Sequence, residues 1–239
     1  MEPAAGSLLL TTLTSTQVRA RIERDPRLLV PIGACDQYGP HLPLGAATLV
    51  AEKFAEQLST DFQVLRAPTL AYGVNVPVEG NFAGRATLRE KTFHAVLNDL
   101  LASWEDEGVR EFILLTVHNF DAHVEAAATV TTAVARVRVF EVLNIDLSAI
   151  LEGESGPEHG GEMLTSLMLH LYPELVRMER ASDFVPENRS ISTLRRLPRI
   201  PTGSPGSLGQ PTLGAAEKGR RLYEYVYEKI RNRVFEEGD

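Results

Sequence analysis

The sequence predicts a three-layer α/β/α sandwich with a mostly parallel central sheet, formed by a single domain over residues 1–239. Short apolar runs alternate with amphipathic helical patterns, the order that gives parallel strands joined by right-handed crossovers. One of these runs, EFILLTV (111–117), is almost continuously aliphatic, as a strand covered on both faces should be. With 239 residues and 44% hydrophobic content, the chain is long enough for one large core.

The strand predictions rest on apolar runs that are bounded by turn residues. They cover 27–33, 62–68, 111–117 and 138–145. The helix predictions rest on apolar residues at three- and four-residue spacing. They cover 48–58, 89–108, 123–137, 160–172 and 215–233. The segment 181–214, rich in Pro, Ser, Gly and Arg, predicts a long loop that covers a site or contacts a neighbouring subunit.

Charge and composition exclude several classes of partner. The formal net charge is −8, whereas nucleic acids and anionic membranes require clustered positive charge. No stretch of eighteen apolar residues occurs, and the N-terminus lacks the basic start of a secretory signal. We therefore expect a cytoplasmic protein that acts on a small molecule and has neither a nucleic-acid nor a membrane partner. Cys35, the single cysteine, has no partner for an internal disulfide.

Three polar stretches that contain histidine follow or precede the predicted elements. They are DQYGPH (36–41), HNFDAH (118–123) and EHGGE (158–162). The carboxyl ends of parallel strands converge at one edge of a sheet, where ligands bind. Imidazole and carboxylate groups suit zinc or manganese, although each stretch alone is equally compatible with surface hydrogen bonding. Their joint location predicts a site at this edge.

Five motifs along the chain resemble those of the creatininase (creatinine amidohydrolase) family, in the same order from about residue 10 to the C-terminal helix. The resemblance implies a three-layer α/β fold, assembly as a hexamer, and a two-metal site that hydrolyses cyclic amides or formamides. The motifs read PIGACDQYGPHLPLGAAT, GNFAGRATL, TVHNFD, HGGEMLTSLMLHLYPELV and GSLGQPTLGAAEKGRRL.

Several positions depart from the family pattern. Asp36 replaces a ligand Glu, Tyr38 replaces a ligand His, and Ala47 replaces the Asp that bridges the two ions. Alanine offers no lone pair, and tyrosine ligates as a phenolate, which its reference pKa near 10 opposes. Leu164 stands where the family has a second Glu, and Arg85 stands where it has Thr. The departures argue against a two-ion site of the family's kind.

Other positions keep the family residue, namely His118, His159 and Glu162. Two alternatives stay open. In the first, Asp36, His118 and Glu162 hold one divalent ion, zinc, manganese or iron, and leave a fourth position for water. In the second, no metal binds, and Arg85 places a permanent positive charge beside the vacated ion positions. That charge would pair with Asp36 or Glu162, or bind an anionic substrate.

The resemblance and these residues together predict an enzyme that acts on a C–N bond of a small cyclic amide, a formamide or a similar compound. The reaction is hydrolysis or a related acid–base step such as cyclisation or dehydration. The alternative is a catalytically silent homologue that serves as a structural or regulatory subunit. The predicted catalytic residues are Asp36, Tyr38, His118, His159 and Glu162. The predicted substrate-binding residues are Arg85, Asn119 and Phe120.

Overall fold

The fold is a five-stranded, fully parallel sheet with helices on both faces. The structure is a computed structural model that describes residues 6–78, 82–142, 145–153, 158–185 and 200–236. The strand order is β1-β3-β2-β4-β5. The strands are β1 (Leu8–Leu9), β2 (Arg27–Ile32), β3 (Leu65–Arg66), β4 (Glu111–Thr116) and β5 (Arg136–Glu141).

Six α-helices connect or follow these strands within the described residues. Two of them, predicted over 160–172 and 215–233, are confirmed as α5 and α6. No helix in the described part of the chain is both long and apolar enough to cross a membrane. The helices are α1 (Ser15–Arg24), α2 (Ala46–Phe62), α3 (Glu90–Asp106), α4 (Asp121–Ala128), α5 (Glu162–Leu171) and α6 (Ala216–Arg231).

Alternating side chains of β4 divide the core into two layers. Ile113 and Leu115 belong to a buried cluster shared with α2, α5 and α6. Phe112 and Leu114 belong to a second buried cluster, shared with α3 and α4 on the opposite face. Successive strand side chains point to opposite faces, so a strand buried on both sides must be apolar at every position. The predicted three-layer α/β/α fold is confirmed.

The sheet register places the ends of the two central strands side by side. β2 and β4 pair in parallel from Arg27 opposite Glu111 to Ile32 opposite Thr116. The chain after Ile32 and the chain after Thr116 therefore leave the sheet at the same edge. The residues that follow include the first two polar stretches predicted to form the site.

Three predicted elements have other bounds, and one helix was not predicted. Of the strand predicted over 62–68, only Leu65–Arg66 forms strand. The helix predicted over 123–137 ends at Ala128, and β5 begins at Arg136, where the prediction began a strand at 138. The intervening TVTTAVA (129–135) is rich in β-branched residues, which disfavour a helix. Helix α1 was not predicted; its start carries a capping box in which the Thr14 and Gln17 side chains bond each other's backbone amides.

The loop predicted over 181–214 is described in part. A single-turn 3₁₀ helix, Pro211–Leu213, lies within it. Backbone hydrogen bonds join Phe184 to Gly209 and Leu208 to His159. The loop therefore contacts the third polar stretch. Residues 186–199 of the predicted loop lie outside the described residues.

Candidate active site

The loop after β2 is folded inward and holds three consecutive polar residues in the protein interior. Asp36, Gln37 and Tyr38 are all buried. The Asp36 amide donates to the Leu44 carbonyl at 3.1 Å, which closes the loop across the start of α2. Burial of polar groups is tolerated when each is hydrogen-bonded, so the partners of these side chains decide what the loop can do.

The Asp36 carboxylate is held by a cation from the segment that precedes α3. Arg85 Nε donates to Asp36 Oδ1 at 2.5 Å, and Arg85 Nη2 donates to the Val76 carbonyl at 2.5 Å. Backbone amides of Gln37 and Val76 donate to Oδ1 and Oδ2, at 2.8 and 3.2 Å. Both carboxylate oxygens of Asp36 are therefore occupied by donors within the protein.

Tyr38 and His118 form a buried pair. The Tyr38 hydroxyl lies 3.0 Å from His118 Nδ1, and His118 Nε2 lies 3.0 Å from the Val74 carbonyl. Because a carbonyl oxygen only accepts, His118 carries its proton on Nε2, and Nδ1 accepts from the Tyr38 hydroxyl. Burial lowers the pKa of His118 to about 4 and raises the pKa of Tyr38 well above its usual value of 10. Both groups are neutral near pH 7.

His159 completes an aromatic group with these two residues. Its ring stacks on Tyr38 at 4.8 Å between centroids, and its Nε2 lies 2.6 Å from the Gln37 carbonyl. Burial lowers the pKa of His159, so the ring is neutral and donates through Nε2. The following Gly160 has φ +63, and a Cβ there would lie 2.3 Å from the Tyr38 carbonyl oxygen. A glycine lets the third stretch approach the first.

A small cavity opens at this aromatic group. Its volume accessible to the centre of a water molecule is about 10 Å³, room for about one water. Residues from all three predicted stretches line it. The cavity is lined by Tyr38, Val117, His118, Asn119, Glu158, His159, Gly160, Met163 and Leu164.

Glu158 is a lining residue that the sequence analysis missed. Its Oε1 accepts from the Met163 amide in the first turn of α5, and its carbonyl accepts from Asn119 Nδ2 at 3.4 Å. Burial raises the pKa of Glu158 to about 7, against the opposing effect of the Met163 amide. A carboxyl group with a pKa near neutrality is suited to general acid–base work. Its place directly before His159 in EHGGE was the available signal.

Glu162 does not line the cavity. Its carboxylate is buried and accepts from Lys218 Nζ, on α6. The backbone amides of Glu152 and Gly153 also donate to it, at 2.9 and 2.7 Å. Glu162 therefore anchors α6 and the chain before EHGGE to the start of α5.

The predicted single-ion site is not assembled in the described part of the chain. There, no group of three or more His, Cys, Asp or Glu side chains is arranged to hold a metal ion. The physical reason is that each predicted ligand already has other partners: Asp36 has Arg85, His118 has Tyr38, and Glu162 has Lys218. The side chains present do not fit the divalent ions that the family resemblance implies.

The three predicted substrate-binding residues lie in different surroundings. Asn119 lines the cavity. Phe120 immediately precedes α4 and packs against the core cluster of α3 and α4. Arg85 pairs with Asp36, as one of the two open alternatives anticipated. The Cys35 thiol lies 3.4 Å from the Gly84 carbonyl, next to this ion pair.

Comparison with known proteins places this arrangement in a family. The sequence model described as "Creatininase: Creatinine amidohydrolase" matches residues 11–234. The chain belongs to the creatininase family. A crystal structure of creatinine amidohydrolase superposes with a TM-score of 0.80 at 25% identity, over 97% of this chain and 99% of that one. A structure titled "Creatininase Mn" superposes at 0.81 with 26% identity, over 97% and 98% of the two chains.

Relatives with curated names are hydrolases of three kinds. The mycofactocin precursor peptide peptidase of Mycobacterium ulcerans (strain Agy99) is 29% identical, over 97% of this chain and 92% of its own. The creatinine amidohydrolase of Pseudomonas putida is 26% identical, over 97% of each. The 3-dehydro-scyllo-inosose hydrolase of Thermotoga maritima is 25% identical, over 97% and 85%. The predicted amidohydrolase-like class of enzyme is confirmed at the level of this creatininase family.

Solved structures similar to this chain include metal-containing creatininases. Similar solved structures include the manganese form and a mutant creatininase of Zn-Zn type, which superposes at a TM-score of 0.81 with 26% identity. In this member, Arg85 and Lys218 neutralise two of the carboxylates that the sequence analysis assigned to an ion.

Proposed function

We propose that this creatininase-family protein hydrolyses a C–N bond of a small amide-type molecule at the cavity beside Tyr38, using its own acid–base groups. The observation that carries the proposal is the convergence of four residues with titratable side chains on one cavity. They are Tyr38, His118, Glu158 and His159. The relatives' names cover creatinine, a precursor peptide and an inosose, so the substrate is proposed as a class.

Glu158 is the general base of the proposed reaction. Its carboxylate takes a proton from a water molecule in the cavity while the water oxygen bonds to the carbonyl carbon of the substrate. The same proton then passes to the leaving nitrogen as the C–N bond breaks, which restores the carboxylate and consumes one water. A pKa of about 7 allows Glu158 both to accept and to return the proton near neutral pH.

Asn119 stabilises the oxyanion that forms during this attack. Its side chain lines the cavity, and its amino group has two N–H donors, of which the Glu158 carbonyl accepts one. His118 holds the Tyr38 hydroxyl in place at 3.0 Å, and the stacked His159 ring fixes the plane of the phenol. Asp36 and Glu162 have structural roles in this reaction, because Arg85 and Lys218 occupy their carboxylate oxygens. Asp36 balances the charge of Arg85, and Glu162 anchors α6 to the start of α5.

The test is a hydrolysis screen with creatinine, cyclic imides and N-substituted formamides, in the presence of EDTA. The wild type is expected to release product from at least one compound, and E158Q is expected to lower kcat about 100-fold or more, the usual size of a general-base contribution. E125Q is the matched control, because Glu125 is an exposed residue of α4 outside the cavity lining. An unchanged kcat in E158Q, or activity abolished by EDTA, would contradict the proposal.

The size of the cavity favours a second function, a catalytically silent subunit. Room for about one water does not admit an amide substrate without widening. A silent subunit would show no turnover across the screen and no rise in melting temperature with any of its compounds. A compound that raises the melting temperature of the wild type, but not of a His159→Ala variant, would exclude this second function.

We also propose that the chain forms a homo-oligomer, a hexamer by family resemblance. Light scattering on the purified protein measures the number of chains per particle directly. A monomer at micromolar concentration would contradict this proposal.

A further inference from the structure

We propose that Arg85 is an internal cation that takes over the charge-balancing role of a metal ion beside Asp36, so that this protein excludes divalent ions from the site. This inference goes beyond the proposed hydrolysis, because it concerns how the site is built. It is tested by metal binding without any substrate, so its failure and the failure of the catalytic proposal are distinguishable.

Asp36 lies in an environment that requires a counter-charge. The carboxylate is fully buried, at 0% exposure, and an unpaired buried charge costs several kcal/mol. Arg85 Nε at 2.5 Å supplies the opposite charge, and the amides of Gln37 and Val76 supply two more hydrogen bonds. The carboxylate is therefore charge-balanced and hydrogen-bonded on both oxygens.

The Arg85 side chain is held firmly in place. Its guanidinium is tied at two points, by Nε to Asp36 and by Nη2 to the Val76 carbonyl, each at 2.5 Å. A guanidinium group carries a permanent positive charge. A divalent ion that binds Asp36 would have to displace the guanidinium from both partners or sit against its positive charge.

His118, the predicted nitrogen ligand, has both ring nitrogens engaged in hydrogen bonds. Its Nε2 proton is donated to the Val74 carbonyl, and the lone pair of Nδ1 accepts from the Tyr38 hydroxyl. Coordination through Nδ1 would require the phenol to leave. Arg85 and Tyr38 therefore block the oxygen ligand and the nitrogen ligand separately.

Both blocking residues stand at positions where the family motifs carry other side chains, Thr for Arg85 and His for Tyr38. The double variant R85T/Y38H frees Asp36 and removes the phenol from His118. It adds an imidazole and puts no larger side chain into the core. R85K/Y38H is the matched control, because lysine keeps a cation beside Asp36.

The experiment is isothermal titration calorimetry of apo protein with Zn²⁺ and with Mn²⁺ at pH 7.5. We expect no stoichiometric binding to the wild type. Zinc should bind to R85T/Y38H at least about tenfold more tightly than to the wild type, and R85K/Y38H should show no such gain. Adding D36N to R85T/Y38H should abolish the gain. Melting temperature measured with and without zinc gives a second readout for each variant.

Three outcomes would overturn the inference. One is a stoichiometric ion in the wild type whose binding is lost in D36N. Another is equal zinc binding by R85T/Y38H and R85K/Y38H, which would show that the cation is not what excludes the metal. The last is no gain in R85T/Y38H. If the double variant does not fold, R85T and R85K are compared instead, and the wild-type titration stands by itself.

Discussion

Two buried carboxylates of this protein, Asp36 and Glu162, are each held by a cation from a distant part of the chain. Arg85 lies 49 residues from Asp36, and Lys218 lies 56 residues from Glu162. A buried ion pair contributes little net stability over an apolar replacement, but removal of one partner leaves an uncompensated charge. These pairs therefore specify where distant segments meet.

Lys218→Met tests whether the Glu162 carboxylate depends on its cation. The substitution leaves the buried Glu162 carboxylate without its cation, so the free energy of unfolding should fall by about 3 kcal/mol or more. The double variant Lys218→Met/Glu162→Gln removes the charge as well and should regain part of the loss. With Glu162→Gln as the second single variant, urea unfolding measures all four proteins, wild type included, and a double variant whose loss equals the sum of the single losses would contradict the coupling.

Glu158→Gln should change the pH dependence of stability. The pKa of Glu158 is raised to about 7 in the folded protein, from 4.5 in the unfolded chain, so the unfolded state ionises first as pH rises. Relative to Glu158→Gln, the wild type should therefore lose stability between about pH 4.5 and 7 and stay level above pH 7. The upper limit is about 3 kcal/mol, and partial exposure of Glu158 reduces it.

Urea midpoints of the wild type and Glu158→Gln at pH 4.5, 6 and 8 measure this difference. E125Q serves again as the exposed control and should track the wild type at each pH. A wild-type advantage that grows with pH would show that the carboxyl group is stabilised in its charged form, contrary to its burial.

At the scale of elements, the crossing of α5 and α6 positions the Glu162–Lys218 pair. Gly219 lies in this crossing, and a Cβ there would come within 1.9 Å of the Ser166 carbonyl oxygen. The helices therefore pack backbone against backbone, and Lys218, the residue directly before Gly219, reaches the start of α5.

Gly219→Ala should force this crossing apart. Because the clash is with backbone, the loss should exceed about 2 kcal/mol, in the range of overpacked cores. Gly45→Ala is the control: a Cβ at Gly45 meets nothing within 4 Å, so its effect should be limited to a poorer N-cap of α2, about 1 kcal/mol or less. Thermal unfolding measures the melting temperatures of both variants. Similar melting temperatures for Gly219→Ala and Gly45→Ala would show that the helices adjust at little cost.

Elements with a strong hydrophobic period were predictable, and those specified by pairing or capping were not. The continuous aliphatic run of β4 and the amphipathic pattern of α6 predicted both elements. In contrast, β3 is two residues long, although the apolar run around it covers seven. A sheet's hydrogen-bonded neighbours decide how much of such a run becomes strand, and one sequence does not show them.

At the scale of the whole molecule, sequence predicted which stretches meet but not what their side chains do there. Tyr38 and His118 come together because β2 and β4 are neighbours in the sheet, and His159 joins them from the loop before α5. The partner of Glu162 lies on a helix 56 residues away, and nothing in the spacing of HGGE points to Lys218. Contacts between distant segments depend on helix crossing geometry, so the assignment of Glu162 as a ligand could not be checked from the sequence.

Crystals grown with zinc chloride test the central claim, that internal cations have replaced metal ions at this site, most directly. Anomalous diffraction at the zinc edge locates any bound ion independently of the protein coordinates. We predict no anomalous peak within about 2.2 Å of the Asp36 or His118 side chains, with the Arg85 guanidinium resting on Asp36. A full-occupancy peak bound by Asp36 and His118, with Arg85 displaced, would contradict it.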